Sequence, residues 1–225
     1  MSPHRHRRLR SAARTAGAPV RLLSLIILTL MTLAIAVAIV SRPAAASPRV
    51  DAPAPGFTAT DSNGKTVSLD SFQGRTVVLE WSNHDRPYVR KHYETGNMQR
   101  LQRSATDEDV VWLTVISSAP GKQGHVSSDM ANELTAERGA YPGAVLLDPE
   151  GEIGRAYDAR TTPHMFVIRP DGRLAYMGAI DDRPTADKGD VPGATNYVTA
   201  ALEAVDAGAA PDPAATKPYG CSVKY

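Results

Sequence analysis

The chain has 225 residues and one cysteine, and its 25 Lys and Arg nearly balance 24 Asp and Glu for a net charge of +1. That length suits one sizeable α/β domain once the N-terminal stretch is set aside, and the remainder, mildly acidic, carries no electrostatic footprint for nucleic acid. A lone Cys221 excludes an intramolecular disulfide and any CxxC pair.

Arg5, Arg7, Arg8, Arg10, Arg14 and Arg21 crowd the first stretch with no acidic residue among them. An uncharged apolar run follows over residues 22–40, and Ala44 and Ala46 then give the small-x-small pattern of a signal-peptidase site. The run is long for a cleaved signal and just reaches the ~20 residues that span a bilayer. Residues 1–46 are therefore expected to be a signal peptide or a membrane anchor. Positive charge stays on the cytoplasmic side, so either reading exports the rest, as a periplasmic protein or one anchored in the inner membrane facing the periplasm. Residues 47–55 are rich in Pro and Ala and read as a linker.

Residues 57–61 and 66–69 read as a β-hairpin, because Asn63-Gly64 supplies the positive φ angles of a tight turn. Residues 76–81 form a β-branched apolar run suited to a buried central strand. Trp81-Ser82-Asn83-His84-Asp85-Arg86-Pro87-Tyr88 then leads from that strand through a loop into a helix opened by Pro87. The helix is expected to break at Thr95-Gly96-Asn97 and resume to about Ser104. Residues 110–116 are the next buried strand and 118–124 a Gly/Pro loop. Ser127 or Ser128 caps a helix with Val126, Met130 and Leu134 on one face, ending at Gly139. Residues 144–147 make a short strand closed by a turn at 148–151. Thr161-Thr162-Pro163 opens a strand to Ile168; Arg169-Pro170-Asp171-Gly172 turns it into another over 174–180. A last helix spans 196–207 with Gly208 as its stop, and a Pro/Ala-rich tail over 209–225 carries Cys221. The order implies a mixed sheet with helices on both faces.

Two of these segments carry a family resemblance. Thr162-Pro163 before a strand, a Pro-Asp-Gly turn and a second strand resembles the thioredoxin-fold segment whose proline is cis. The stretch 78–93, with Pro87, Tyr88, Val89, Arg90, Lys91 and His92, is similar to exported redoxin proteins related to alkyl hydroperoxide reductases and thiol-specific antioxidant proteins (AhpC/TSA). The segment from Trp112 through Gly121-Lys122-Gln123-Gly124-His125 and the closing residues 217–225 also look like this group. The resemblance implies a thioredoxin-like α/β fold over residues 56–208, with a substrate groove beside Thr162 and Pro163. It further implies a protein thiol, disulfide or peroxide as substrate. In the family pattern a reactive cysteine directly precedes the helix-start proline, and a second can stand three residues earlier. This chain has Arg86 and Asn83 there, so the site reads as degenerate. A guanidinium stays protonated and is no nucleophile.

Cys221 is the one remaining candidate for catalysis. Its tail lysines, Lys217 and Lys224, are weak activators, which also fits a thiol without a catalytic role. His84, Asp85, His92, His125 and His164 lack the spacing of a metal site, and Asp181, Asp182, Asp187 and Asp190 read as a solvated acidic loop rather than a calcium ladder. Gly121-Lys122 lacks the earlier glycine of a phosphate loop. No cofactor is expected. Two functions follow: a redoxin-type oxidoreductase lacking its usual cysteine, or a lapsed binding module that keeps the groove at Pro163 and uses Arg86 to hold an anionic or extended peptide group.

Overall fold

The computed structural model describes residues 47–225, so the basic stretch, the apolar run and the Ala44/Ala46 cleavage site lie outside the described residues. Among the described residues no helix is long and apolar enough to cross a membrane.

The expected hairpin forms from β1 (Thr58–Asp61) and β2 (Thr66–Ser68). Its turn closes because Gly64 takes a φ of +78°, while Asp61 Oδ1 accepts the Asn63 and Lys65 amides at 2.9 and 2.8 Å. A 3-10 turn (Leu69–Phe72) leads into β3 (Val77–Trp81), in which every residue is buried. Between β3 and β4 (Val111–Ile116) the chain makes two helices, α1 (Pro87–Glu94) and α2 (Asn97–Asp107). They are separate because Gly96 adopts the left-handed region, φ +71°, which a helix cannot propagate through. The second helix runs past the expected end to Asp107.

α3 (Ser128–Glu137) is capped by Ser127, whose Oγ accepts the Met130 amide at 3.2 Å. Of its expected inner face Val126 and Leu134 pack inward and Met130 does not. Met130 is 44% exposed, and Ala131 packs with Val126 and Val145. After β5 (Ala144–Leu147) and the expected turn comes a helix with no signal of its own in the sequence, α4 (Glu152–Ala156). It exists because the Asp148 carboxylate accepts the Ile153 and Gly154 amides at 3.3 and 2.9 Å, capping so short a helix from outside. Then follow β6 (Thr161–Thr162), β7 (His164–Ile168), β8 (Leu174–Gly178) and α5 (Tyr197–Asp206), the last capped by Asn196.

Seven strands form one mixed sheet in the order β2-β1-β5-β4-β3-β7-β8. At its centre β3 runs parallel to β4 and antiparallel to β7. Alternation along β3 divides the core into two layers. Val77, Leu79 and Trp81 pack on one face with Leu113, Phe166 and Tyr157, whereas Val78 packs on the other with Trp112 of β4 and with Val89, Met98 and Val198 from the helices. Trp81 fixes the first layer, its ring centroid 5.4 Å from Tyr157 and 5.2 Å from Phe166.

Residues at both ends of the described chain pack on this sheet. The Asp51 and Ala54 amides donate to Leu174 and Gly172 carbonyls at 2.8 and 2.9 Å. At the other end, Thr216 Oγ1 accepts the Ala179 amide at 2.9 Å, and β9 (Cys221–Ser222) pairs antiparallel with β6. The acidic segment read as a solvated loop divides: Asp182 and Asp187 face solvent, but Asp181 is 2% exposed.

Candidate functional site

β3 ends where the loop to α1 begins, so the sheet delivers residues 82–86 to a helix start. Arg86 is the N-cap residue, extended at φ −89° and ψ 133°, and Pro87 follows at the first helical position, where its missing N–H leaves nothing unsatisfied. The Arg86 carbonyl accepts the Arg90 amide at 2.8 Å, but no side chain caps the helix and no acidic residue stands in its first turn. Arg86 Nε is buried with no hydrogen-bond partner. Asn83 is buried at 2% exposure; its Nδ2 donates to the Gln123 carbonyl at 3.1 Å, and its Oδ1 accepts the Asp85 amide at 3.3 Å. Gly124 makes room for it. A Cβ there would lie 2.1 Å from Asn83 Nδ2, and its φ is +88°.

The Thr162-Pro163 bond is cis, as expected. In the sheet register Trp81 lies opposite His164, which sets the cis-proline loop at the same sheet end as the loop over 82–86. Thr162 lies opposite Cys221 in the β6–β9 pair. The Tyr219 ring meets Tyr88, in the first turn of α1, edge to face at 5.9 Å. The structure thus gathers the helix start, the cis-proline and the tail carrying Cys221 at one end of the sheet. Cys221 is a free, partly buried thiol.

A polar cluster anchors this tail, joining His92 and Asp181, which the sequence sets apart as an unligated histidine and a loop carboxylate. Tyr219 Oη donates to Asp181 Oδ1 at 2.5 Å and lies 3.2 Å from His92 Nε2. The Asn97 amide group donates to His92 Nδ1 at 2.9 Å, so the neutral ring carries its proton on Nε2, facing Tyr219. Lys91 Nζ, also buried, donates to the Arg183 carbonyl at 2.8 Å and sits 3.8 Å from Asp181. Burial pulls His92 down to about 4, opposed by Asp181 and helped by Lys91. Burial likewise raises the Tyr219 phenol, reinforced by its bond to Asp181. His164, beside the cis-proline, falls to about 3, chiefly through burial. No local spacing signals this cluster, because its members come from α1, α2, the loop after β8 and the tail.

His84 and Asp85 open instead onto a cavity of about 470 Å³, also lined by Arg90, Glu94, Glu137 and Arg138. His84 Nε2 is 3.2 Å from Asp85 Oδ1, and burial holds its pKa below the ordinary value against the pull of that carboxylate. His125 Nδ1 bonds the Ser118 carbonyl at 3.0 Å. Among the described residues no group of three His, Cys, Asp or Glu is arranged to hold a metal ion.

A central mixed sheet flanked by helices, with a proline-opened helix and a cis-proline at one end, defines a thioredoxin-like fold. Solved structures with this architecture include an uncharacterized conserved protein from Geobacillus kaustophilus, at TM-score 0.66 and 26% identity, covering 79% of this chain and 92% of that one. A putative thiol:disulfide interchange protein DsbE from Chlorobium tepidum matches at TM-score 0.52 and 23% identity, covering 69% and 99%. The chain belongs to the AhpC/TSA family, whose sequence model matches residues 50–177. Among curated proteins it is similar to the thiol-disulfide oxidoreductase ResA of Bacillus subtilis (strain 168), 26% identical over 125 residues, or 55% of this chain. That match spans 64% of the relative's own length.

Proposed function

We propose that this is an exported redoxin-type protein of thiol-disulfide or peroxide chemistry whose helix-start nucleophile has been replaced, Arg86 standing where the family pattern places cysteine. The observation that carries this reading is the geometry at Pro87. The residue before it is the N-cap of α1, where a thiolate would gain from the helix dipole, by about 0.3–1 kcal/mol, and a cation is disfavoured by a similar amount. A guanidinium neither attacks a disulfide nor reduces a peroxide. Asn83 occupies the second position and is committed to Gln123 and Asp85. Cys221 is left as the one thiol, and a protein thiol, disulfide or peroxide remains the substrate class that the relatives suggest. Export rests on the basic and apolar N-terminal pattern ending at Ala46.

A second reading, a binding module without turnover, is favoured by one observation: Arg86 Nε is buried and unpartnered, which suits an anionic or extended peptide group held beside Pro163.

The test is hydroperoxide consumption and insulin-disulfide reduction by the parent, Cys221→Ser and Arg86→Cys. An inactive parent with activity gained in Arg86→Cys is the expected result. Parent activity abolished by Cys221→Ser would move the chemistry to the tail thiol. Full turnover in Cys221→Ser would end any thiol account.

A further inference from the structure

β6 is two residues long, ends at the cis-proline, and finds its antiparallel partner in the chain's own C-terminus, with Thr161 opposite Ser222 and Thr162 opposite Cys221. The contact continues past Ser222. The Val223 amide donates to the Arg160 carbonyl at 3.0 Å, and the Ala119 amide donates to the Lys224 carbonyl at 2.8 Å. Gly220 meets the edge so closely that a Cβ would lie 2.3 Å from the Thr162 carbonyl oxygen, and its φ of +131° belongs to glycine. Recognition is by backbone and by a glycine followed by small side chains. Those are the terms on which a sheet edge takes up an extended peptide.

Two side chains clamp this strand at its ends. Tyr219 is bonded to Asp181 and His92, and Tyr225 Oη donates to the Ala159 carbonyl at 2.7 Å with its ring over Gly151 and Gly154. The middle is held mainly by backbone: Ser222 is exposed, Cys221 is half-buried, and Val223, also half-buried, is the one apolar side chain that reaches the core. A short ladder with few buried contacts is the kind of segment that opens locally while the rest stays folded.

We propose that residues 219–224 are a tethered occupant of the groove beside Pro163, so that an extended glycine-containing peptide binds this protein only by displacing its own C-terminal strand. This rests on the reading of Thr162-Pro163 as the edge of a peptide groove, but it is measured by binding, so failure of the thiol chemistry leaves it untouched.

The probe is a labelled peptide of residues 217–225 carrying Cys221→Ser, titrated by fluorescence anisotropy into the full chain and into full-chain Gly220→Val, where the added side chain collides with Thr162. The variant should bind at least about 10-fold more tightly than the parent, because an occupied groove reduces apparent affinity by the fraction that is free. Equal binding to both, or no binding to a Gly220→Val chain with native circular dichroism, overturns the proposal. Should Gly220→Val not fold, hydrogen exchange on the parent decides. The Val223 amide should exchange at least about 100-fold faster than that of Leu79 in β3, through opening of the tail alone. Exchange at the same rate would make the tail a fixed part of the core and overturn the proposal.

Discussion

Glu80 is fully buried on the central strand with four hydrogen-bond donors around it. Tyr93 Oη donates to Oε1 at 2.9 Å; Trp112 Nε1, Gln102 Nε2 and Thr114 Oγ1 donate to Oε2 at 2.9, 3.2 and 3.2 Å. Buried carboxylates need such partners, since an isolated charge in an apolar interior costs several kcal/mol. The phenol of Tyr93 responds: burial, then the carboxylate beside it, pushes its pKa above the ordinary tyrosine value. Glu80→Gln keeps the size but turns one acceptor into an amide that faces donors. It should lower unfolding free energy by about 2–3 kcal/mol, read from urea midpoints at constant slope. An unchanged midpoint would show that the network rearranges at no cost. Arg86 and Pro87 could be read from the sequence because a strand, a loop and a proline identify a helix start by local chemistry alone. Glu80 looked like one residue of an apolar strand. Its partners lie 13 to 34 residues away and on other elements, so no local pattern revealed its role.

Elements whose ends carry their own signals were legible. Asn63-Gly64 fixed the hairpin, Gly96 the break between α1 and α2, and Pro170-Asp171-Gly172 the return from β7 to β8. Ser127 belongs with these, because its hydroxyl reaches an amide in the first turn of α3 that would otherwise face only water. Ser127→Ala should cost about 1 kcal/mol and lower Tm by about 2–4 °C in a chain of this size. A shift within error would mean that solvent replaces the cap. Two elements were not legible, for a common reason. α4 depends on Asp148, which lies outside the helix it caps, and β9 exists because Cys221 meets Thr162, 59 positions earlier. An apolar side chain suggests an inward Met130, yet α3 turns Ala131 and Leu134 toward Val145 and leaves Met130 exposed.

At the scale of the whole molecule, two buried histidines tie stability to pH. His92 and His164 are held at about 4 and about 3, against 6.5 for an exposed ring, and burial is the leading cause for both. Above pH 6.5 both are neutral whether the chain is folded or not, and the full stability is present. As pH falls below 6.5 the unfolded chain takes up protons that the native rings refuse, so stability drops by up to about 1.4 kcal/mol per pH unit for each histidine. The dependence from these groups ends once pH has passed through about 3–4, where the native rings protonate too. His92 is the informative one, because Asn97, Tyr219, Asp181 and Lys91 all face it and it links α1 to the tail. His92→Gln should destabilise the protein at pH 7 by loosening Tyr219. That deficit should then shrink by about 3 kcal/mol between pH 7 and pH 4, because the variant no longer carries a ring that must stay unprotonated. Urea unfolding of parent and variant across that range measures it, and carboxylates common to both cancel in the difference. A deficit constant with pH would mean that His92 already shares its charge with Asp181 in the folded protein, and the tail would then be held by an ion pair instead of a neutral imidazole.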